Sequence, residues 1–352
     1  MKIAVYCITK NEEQFIERWA ASASEADYRI VLDTGSTDRT VDLARAAGCE
    51  VSTLIVSPWR FDTARNASLD LIPDDADICI ALDADEVLVE GWRDHLENMS
   101  PITTRPRYEY TWSWNEDGTP GLTYWGDKIH SRKGYYWKHP VHETITPIPY
   151  AREEVQEFIG LKIYHFPDNT KSRGQYFPLL ELAVAEDPED DRNSHYLGRE
   201  YFYQGMHDKA AAELQRHLSL PKAVWAPERA KSMRMLAKCL PNSEEHWLLR
   251  AAAEASDIRE PWLDLAAMYY RRQDWTSCLA AATRCLSIDT RPATYINEAE
   301  AWGFAPYDFA AIAAFHLGLG RKALEWGTQA CLMAPHDPRL QANMEWYRSV
   351  NS

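Results

Sequence analysis

The chain has 352 residues, of which 45% are apolar and 12% aromatic, with 38 Lys and Arg against 53 Asp and Glu, a net charge of −15. This apolar share excludes wholesale disorder, and the acidity argues against non-specific nucleic-acid binding as the main role. No apolar run approaches the roughly 18 to 20 residues needed to span a bilayer. Seven scattered cysteines and an N-terminus without a signal peptide predict a reduced, cytoplasmic protein.

The first half of the chain alternates short apolar runs with helical patterns. Runs at residues 3–8, 29–32, 51–56 and 77–82 read as strands, and helical stretches lie between them. This alternation predicts an α/β domain over residues 1–170, with a doubly wound, mostly parallel sheet. Polar clusters follow residues 8, 32 and 82, where ligands bind in sheets of this kind.

From residue 171 the pattern changes to successive helices rich in Ala and Leu. Gly205 lies five residues before Ala210, and Gln273 lies five before Cys278, so the two units are 68 residues apart (278 minus 210). That spacing is about twice the tetratricopeptide period of 34 residues. We therefore predict an all-α domain of tetratricopeptide-like repeats over residues 171–352, which binds a partner or mediates self-association. A plain amphipathic helical bundle is the alternative.

Asp83 and Asp85 directly follow the apolar run that ends at Leu82. Two carboxylates separated by one residue on an extended chain point to the same side. Hard divalent cations prefer such oxygen ligands, and they bridge phosphate oxygens. The pair therefore predicts a metal site at a strand end.

The string from Asp33 to Ser36, Asp-Thr-Gly-Ser, also occurs in aspartic proteases. Those enzymes need two such elements to build a pair of carboxylates that share one proton. This chain has one, and it lies in a strand-helix unit. We therefore reject the protease interpretation.

Four motifs occur in a fixed order: residues 9–13 (TKNEE), 33–40 (DTGSTDRT), 61–66 (FDTARN) and 82–86 (LDADE). In this order they resemble the motifs of family-2 glycosyltransferases, which have the GT-A fold. Here the motifs precede tetratricopeptide-like repeats. The resemblance covers about the first 90 residues closely and residues 125–170 loosely.

The resemblance implies a nucleotide-sugar donor, with a UDP-sugar as the first choice, a bound Mn²⁺ or Mg²⁺, and inversion at the anomeric carbon. It implies metal ligation by Asp83 and Asp85, completed by His165. The donor-binding positions that it implies are Thr9, Asn11, Glu12, Asp33, Arg65 and Asp83, with Lys171 and Arg173 near the diphosphate.

An inverting transferase needs one general base on the acceptor side. The segment from Trp137 to Glu143 resembles a Trp…His-Glu segment of the repeat-bearing members, which makes Glu143 the candidate base and Asp127 the reserve. A zinc site formed by His139 and His142 is less consistent with the sequence, since helical ligand pairs are usually four residues apart and a proline lies between these two histidines.

Residues 105–138 interleave basic and aromatic side chains, which suit either sugar stacking or nucleic-acid phosphates and bases. The acceptor is predicted to be a cell-surface glycan or lipid-linked sugar, a protein, or a 5-hydroxymethylated pyrimidine of phage-type DNA. For residues 105–138 the alternative is a structural hairpin without acceptor contacts. For the whole chain the alternative is a repeat scaffold whose transferase domain no longer turns over. The candidate acceptor-binding residues are Trp112, Trp114, Lys128, Arg132, Lys133, Trp137 and His142.

Overall fold

The computed structural model describes residues 1–156, 159–168, 174 and 176–349. The chain divides into two compact units, Met1–Ala185 and Glu186–Ser352. The division falls later than the predicted boundary after residue 170, because the first unit includes most of the helix at Tyr176–Glu186.

The first unit is an α/β domain, as its alternating pattern predicts. Its strands are β1 (Ile3–Thr9), β2 (Tyr28–Asp33), β3 (Glu50–Thr53), β4 (Ile78–Ala81), β5 (Glu86–Leu88), β6 (Arg105–Pro106), β7 (Tyr108–Thr111), β8 (Thr123–Gly126), β9 (Ile129–Ser131), β10 (Tyr135–Lys138), β11 (Thr144–Pro147), β12 (Val155–Gln156) and β13 (Lys162–His165). Its helices are α1 (Ile16–Ser22), α2 (Thr40–Ala46), α3 (Phe61–Asp70), α4 (Trp92–Glu97) and α5 (Tyr176–Glu186).

The main sheet has the strand order β3-β2-β1-β4-β9. The pairs among β1, β2, β3 and β4 are parallel, whereas the edge strand β9 is antiparallel to β4. Both faces of β1 are buried: Val5 belongs to a core with Trp19 of α1, and Tyr6 belongs to a core with Leu69 of α3. Helices on both faces explain why these strands appear in the sequence as continuous apolar runs.

A second sheet with the order β5-β13-β7-β8 adjoins the strand ends that carry the motifs. In it β13 is antiparallel to β5, with His165 opposite Glu86, and parallel to β7. A hairpin of β10 and β11 and a short pair of β6 and β12 complete the unit among the described residues. The second sheet positions His165 next to the Asp83–Asp85 segment.

The second unit consists of helices, which confirms the predicted helical-repeat class. They are α6 (Asp191–Tyr203), α7 (His207–Ser219), α8 (Ala226–Cys239), α9 (Glu244–Glu254), α10 (Glu260–Arg271), α11 (Trp275–Leu286), α12 (Ala299–Trp302), α13 (Ala305–His316), α14 (Gly320–Met333) and α15 (Pro338–Ser349), with a 3₁₀ turn at Pro241–Ser243. The helices pack as consecutive pairs, α6 with α7, α8 with α9, α10 with α11 and α13 with α14. The last pair is out of phase because residues 287–304, including the short α12, separate it from α11.

Close helix packing in the repeats depends on small residues. Gly198 in α6 faces Leu214 in α7, and a Cβ at this position would lie 2.7 Å from the leucine side chain.

Across the described residues, we find no helix with both the length and the apolar character required to cross a membrane.

Candidate functional site

The carboxyl ends of three adjacent strands form the base of the candidate site. Thr9, the last residue of β1, is paired with Asp33, the last residue of β2, and β4 lies on the other side of β1. The backbone carbonyl of Thr9 accepts hydrogen bonds from the amide and the hydroxyl of Thr34, at 2.8 and 2.9 Å. Because the sheet is parallel here, the three predicted motifs meet at one edge.

Two loops at this edge are held together by side chains. Asp33 accepts hydrogen bonds from the amides of Gly35 and Ser36, and the Ser36 hydroxyl accepts one from the Asn11 amide at 2.9 Å. Asn11 has a φ of 56°, and its side-chain oxygen accepts from the Thr37 amide at 2.8 Å. These bonds fix the loop after β1 against the loop after β2.

Glu12 continues the same interaction, since its amide donates to the Thr40 hydroxyl at 2.7 Å. Thr40 is the first residue of α2, so the end of β1 is linked to a helix start. This part of the site, which we call the wall, therefore contains Thr9, Asn11, Glu12 and Asp33, the positions that the resemblance implies for the donor. Hydrogen bonds within the protein hold its two loops together.

A network of charged side chains lies beside this wall. The Arg65 guanidinium donates to Asp83 Oδ1 at 2.5 Å and to Glu143 Oε1 at 2.6 Å. The Lys128 ammonium lies 2.5 Å from Asp83 Oδ2 and 3.3 Å from Glu86 Oε1. Two cations and three carboxylates thus alternate through this network.

The charges in the network set the protonation of its carboxyl groups. Burial opposes ionisation of Asp83, but Arg65 and Lys128 outweigh it and lower the pKa of Asp83 well below its ordinary value. Burial raises the pKa of Glu86, which is 1% exposed, although Lys128 opposes the shift. Asp83 is therefore a carboxylate held between two cations, and Glu86 takes up a proton more readily than Asp83 does.

Arg65 is buried and retains unused donor capacity. Its Nη1 has no hydrogen-bond partner among the described residues. Its guanidinium lies 5.0 Å from the centre of the Trp137 ring, whose Nε1 donates to the Tyr6 hydroxyl at 2.8 Å. A buried cation with an unsatisfied N–H is a suitable partner for an anionic group of a ligand.

A second pair of side chains provides metal-ligand chemistry. His165 Nε2 lies 3.3 Å from Asp85 Oδ2, and His165 Nδ1 lies 2.9 Å from the Trp112 carbonyl oxygen. An Nδ1–H that donates to a carbonyl leaves Nε2 as the nitrogen that faces Asp85. Carboxylate oxygen with imidazole nitrogen is a donor set that suits Mn²⁺, so these residues fit the implied ion.

The aromatic residues before β8 hold His165 in place. The Trp112 ring stacks on His165 with centroids 4.4 Å apart, and Trp114 Nε1 donates to the His165 carbonyl at 3.0 Å. Burial opposes protonation of His165, but hydrogen bonds to Asp85 and to the Trp112 carbonyl outweigh it and raise the pKa of His165. A cation that bound at Nε2 would replace that proton.

The other predicted residues lie at varied positions. Asp127 is paired with Arg105 at 2.9 Å and with Arg107 at 3.3 Å. Arg132 donates to the Ile72 carbonyl at 2.8 Å, and Lys133 is exposed. The remaining positions are as follows: Trp137 is buried, His142 has a φ of 49° and its ring lies near Tyr176, and Lys171 and Arg173 lie outside the described residues.

The sequence assigns no role to one residue of the network and does not indicate the internal partner of another. Glu86 was part of a motif but was given no role, although its position directly after Asp85 in an apolar strand start was a usable signal. Lys128 was predicted to contact the acceptor, and the structure places its ammonium on Asp83.

Comparisons with known proteins bear on both units. No family model matches the chain. A 108-residue segment, 30% of this chain, is 35% identical to an uncharacterized glycosyltransferase of Rickettsia bellii, and 34% identical to another of Rickettsia typhi. A tetratricopeptide repeat-containing protein of Synechococcus elongatus is 26% identical over 208 residues, 54% of this chain and 49% of that protein.

The chain is therefore similar to glycosyltransferases and, separately, to a tetratricopeptide repeat-containing protein. The matched segment spans only 35% and 36% of the length of the two rickettsial proteins. Among solved structures, glucosyl-3-phosphoglycerate synthase from Mycobacterium tuberculosis in complex with Mg²⁺ and UDP is 28% identical, with a TM-score of 0.26 over 31% of this chain and 43% of that chain. MamA is 16% identical, with a TM-score of 0.36 over 45% of this chain and 86% of that chain.

Proposed function

We propose that the first unit is a metal-dependent, inverting glycosyltransferase that uses a nucleotide-sugar donor, with a UDP-sugar as the first choice. The observation that carries this proposal is the meeting of Asp85 and His165 beside the strand ends that hold Thr9 and Asp33. An oxygen of Asp85 and a nitrogen of His165, 80 positions apart in the chain (165 minus 85), lie 3.3 Å from each other. The similarity to the rickettsial glycosyltransferases supports the same reaction class.

The donor would lie along the wall formed by the loops after β1 and β2. The side chains of Asp33 and Asn11 are fixed there by hydrogen bonds from backbone amides. They can therefore form hydrogen bonds with a nucleoside at little cost in conformational entropy. Arg65 offers an N–H without a partner among the described residues, and it lies beside Asp83. We assign Arg65 to the donor diphosphate, together with Lys171 and Arg173 from the resemblance.

The metal would be held by Asp85 and His165. Asp83 lies two residues before Asp85, and it pairs with Arg65 and Lys128. A divalent cation at this position supplies charge stabilisation to the diphosphate as the glycosidic bond breaks. His165 is oriented by the Trp112 carbonyl and by stacking on the Trp112 ring, so its Nε2 remains directed at Asp85. This support keeps the two ligands together before the donor arrives.

Inversion requires a base that removes the proton of the acceptor hydroxyl. Glu143 is our candidate, because it is the carboxylate that accepts from Arg65 Nε at 2.6 Å, next to the Nη2 that donates to Asp83. Asp127, the reserve, is engaged by two arginines, which makes it the weaker choice. Glu143→Gln should keep donor binding and lose transfer.

For the acceptor, the contacts favour a glycan, a lipid-linked sugar or a protein over DNA. Most cations of residues 105–138 already face internal partners: Arg105 and Arg107 pair with Asp127, and Lys128 pairs with Asp83. DNA binding draws its affinity from cations that replace counterions on phosphates. Lys133 is the exposed cation of this stretch that would remain for such contacts.

The test is transfer of label from UDP-glucose and other nucleotide sugars, with Mn²⁺, to a cell-envelope glycan extract, a protein extract, hydroxymethylated DNA and plain DNA. We expect a labelled glycan or protein product that is lost in Asp85→Asn and kept in Glu90→Gln, an exposed carboxylate change in the same segment. A product on hydroxymethylated DNA alone, lost in Lys133→Glu, would instead establish the nucleic-acid acceptor. Absence of transfer and of donor hydrolysis with every nucleotide sugar would favour a non-catalytic scaffold.

A further inference from the structure

A cluster of three potential metal ligands lies in the second unit, away from the motifs of the transferase. Asp191 is the first residue of α6, His217 lies near the end of α7, and Glu228 lies in the first turn of α8. One ligand atom from each lies within 4.8 Å of the other two. Because successive helices run in opposite directions, these positions meet at the same end of the helices.

Two of the three side chains are deeply buried in this cluster. His217 has no exposed surface, and Glu228 is 4% exposed. His217 Nε2 has no hydrogen-bond partner among the described residues, and it faces Glu228 Oε1 at 3.5 Å. A buried ring nitrogen without a hydrogen bond is costly unless a ligand satisfies it.

The surrounding residues orient the cluster as metal sites require. His217 Nδ1 lies 2.9 Å from the Ser232 hydroxyl, which lies 2.8 Å from Nδ1 of His195. The Tyr295 hydroxyl donates to the second oxygen of Glu228. Ligating histidines generally have their other ring nitrogen hydrogen-bonded in this way, and ligating carboxylates are hydrogen-bonded as well.

We propose that Asp191, His217 and Glu228 bind one divalent transition-metal ion, with Zn²⁺ as the first choice. One imidazole nitrogen and two carboxylate oxygens favour zinc or manganese over magnesium or calcium. Two ligands at about 2.1 Å from a tetrahedral ion are roughly 3.4 Å apart, which is close to the 3.5 Å between His217 and Glu228. Asp191 is partly exposed, so its carboxylate has freedom to close on the ion.

An ion at this position would tie α6, α7 and α8 together at the start of the repeat array. Each ligand comes from a different helix, so the ion would oppose separation of three consecutive helices. Binding to the folded state alone raises the temperature of unfolding. This role is structural, and it does not depend on the proposed transferase activity.

The experiment uses the full chain in an Asp85→Asn, His165→Gln background, which removes the metal ligands of the first unit. After treatment with EDTA and its removal, Zn²⁺ is titrated by calorimetry, and Co²⁺ binding is followed by its visible absorption. We expect one ion per chain and a higher unfolding temperature with Zn²⁺. Asp191→Asn should weaken binding at least 10-fold, and His217→Gln should abolish it together with the cobalt spectrum.

Matched controls are Asp208→Asn and His246→Gln, two exposed residues of the same unit, which should keep the full affinity. The proposal is overturned if the background protein binds no Zn²⁺. It is also overturned if Asp191→Asn, the mildest change because the residue is partly exposed, binds Zn²⁺ as the background does. Circular dichroism of each variant separates loss of the site from loss of the fold.

Discussion

Arg65 contacts two carboxylates that come from distant parts of the chain, Asp83 after β4 and Glu143 before β11. A planar guanidinium reaches both at fixed angles, whereas an ammonium acts as a single point charge. The face of the Trp137 ring supports the guanidinium from one side. The shape of Arg65, as well as its charge, therefore holds the network together.

Replacing Arg65 with lysine should lower kcat/KM at least about 100-fold, which corresponds to ~2.7 kcal/mol of transition-state stabilisation. Lysine keeps the positive charge but cannot hold Asp83 and Glu143 in the same geometry. The measurement is steady-state sugar transfer to the acceptor that the labelling assay identifies, and Arg60→Lys, at the N-cap of α3, serves as the control. Activity of Arg65→Lys within about 3-fold of the wild type would show that charge alone suffices.

At the residue scale, the sequence revealed the strand-end residues because each follows an apolar run or lies in an ordered motif. Thr9, Asp33 and Asp83 are examples. Their hydrogen-bond partners could not be predicted, since Lys128 reaches Asp83 from the short link between β8 and β9, 45 residues away (128 minus 83). The aromatic residue Trp137 was predicted to contact an acceptor, and its burial under Arg65 depends on a hairpin that local pattern does not specify.

At the scale of elements, the parallel strands were predictable and the second sheet was not. Strands β1, β2 and β4 are buried on both faces, so they leave long apolar runs in the sequence. Strands β5, β7, β8 and β13 have three or four residues each and pair across long stretches of chain. The meeting of His165 with Asp85 follows from the register of β13 on β5, which no local pattern encodes.

The edge strand β9 carries a buried histidine that should make the first unit sensitive to acid. Burial lowers the pKa of His130 to about 4. Its Nε2 lies 2.9 Å from the Tyr6 hydroxyl, and its Nδ1 lies 2.8 Å from the Ser131 carbonyl. Below pH ~6.5 this histidine is protonated in the unfolded chain, whereas it stays neutral in the folded protein until about pH 4. The free energy of unfolding therefore decreases as the pH is lowered over this interval.

From pH 7 to pH 5 this single group should reduce the free energy of unfolding by about 2 kcal/mol. Hydrogen exchange of β1 and β4 amides measures it, with wild type and His130→Gln compared at each pH so that intrinsic exchange rates cancel. The protection ratio of wild type to variant should fall about 30-fold over this range. A ratio that does not change with pH would mean that His130 titrates normally in the folded state.

At the scale of the whole molecule, the two units differ in charge as well as in architecture. The first unit, residues 1–185, carries 19 Lys and Arg against 30 Asp and Glu, a net charge of −11 of the total −15. An anionic ligand such as the proposed UDP-sugar would therefore enter a strongly acidic unit. Local cations at Arg65 and Lys128 offset part of this repulsion, but both already pair with carboxylates. A divalent cation at Asp85 and His165 would supply the remaining positive charge.

If the proposed metal site is correct, UDP binding depends on a divalent cation held by Asp85. Calorimetry of UDP binding, with Mn²⁺ and with EDTA, tests it on the wild type, Asp85→Asn and the control Glu90→Gln. We predict that Mn²⁺ strengthens binding at least 10-fold in the wild type and in Glu90→Gln, because the metal offsets the charge of the diphosphate, and that Asp85→Asn loses this gain. Equal affinity of the wild type with Mn²⁺ and with EDTA, or an undiminished Mn²⁺ effect in Asp85→Asn, would contradict the proposed metal site.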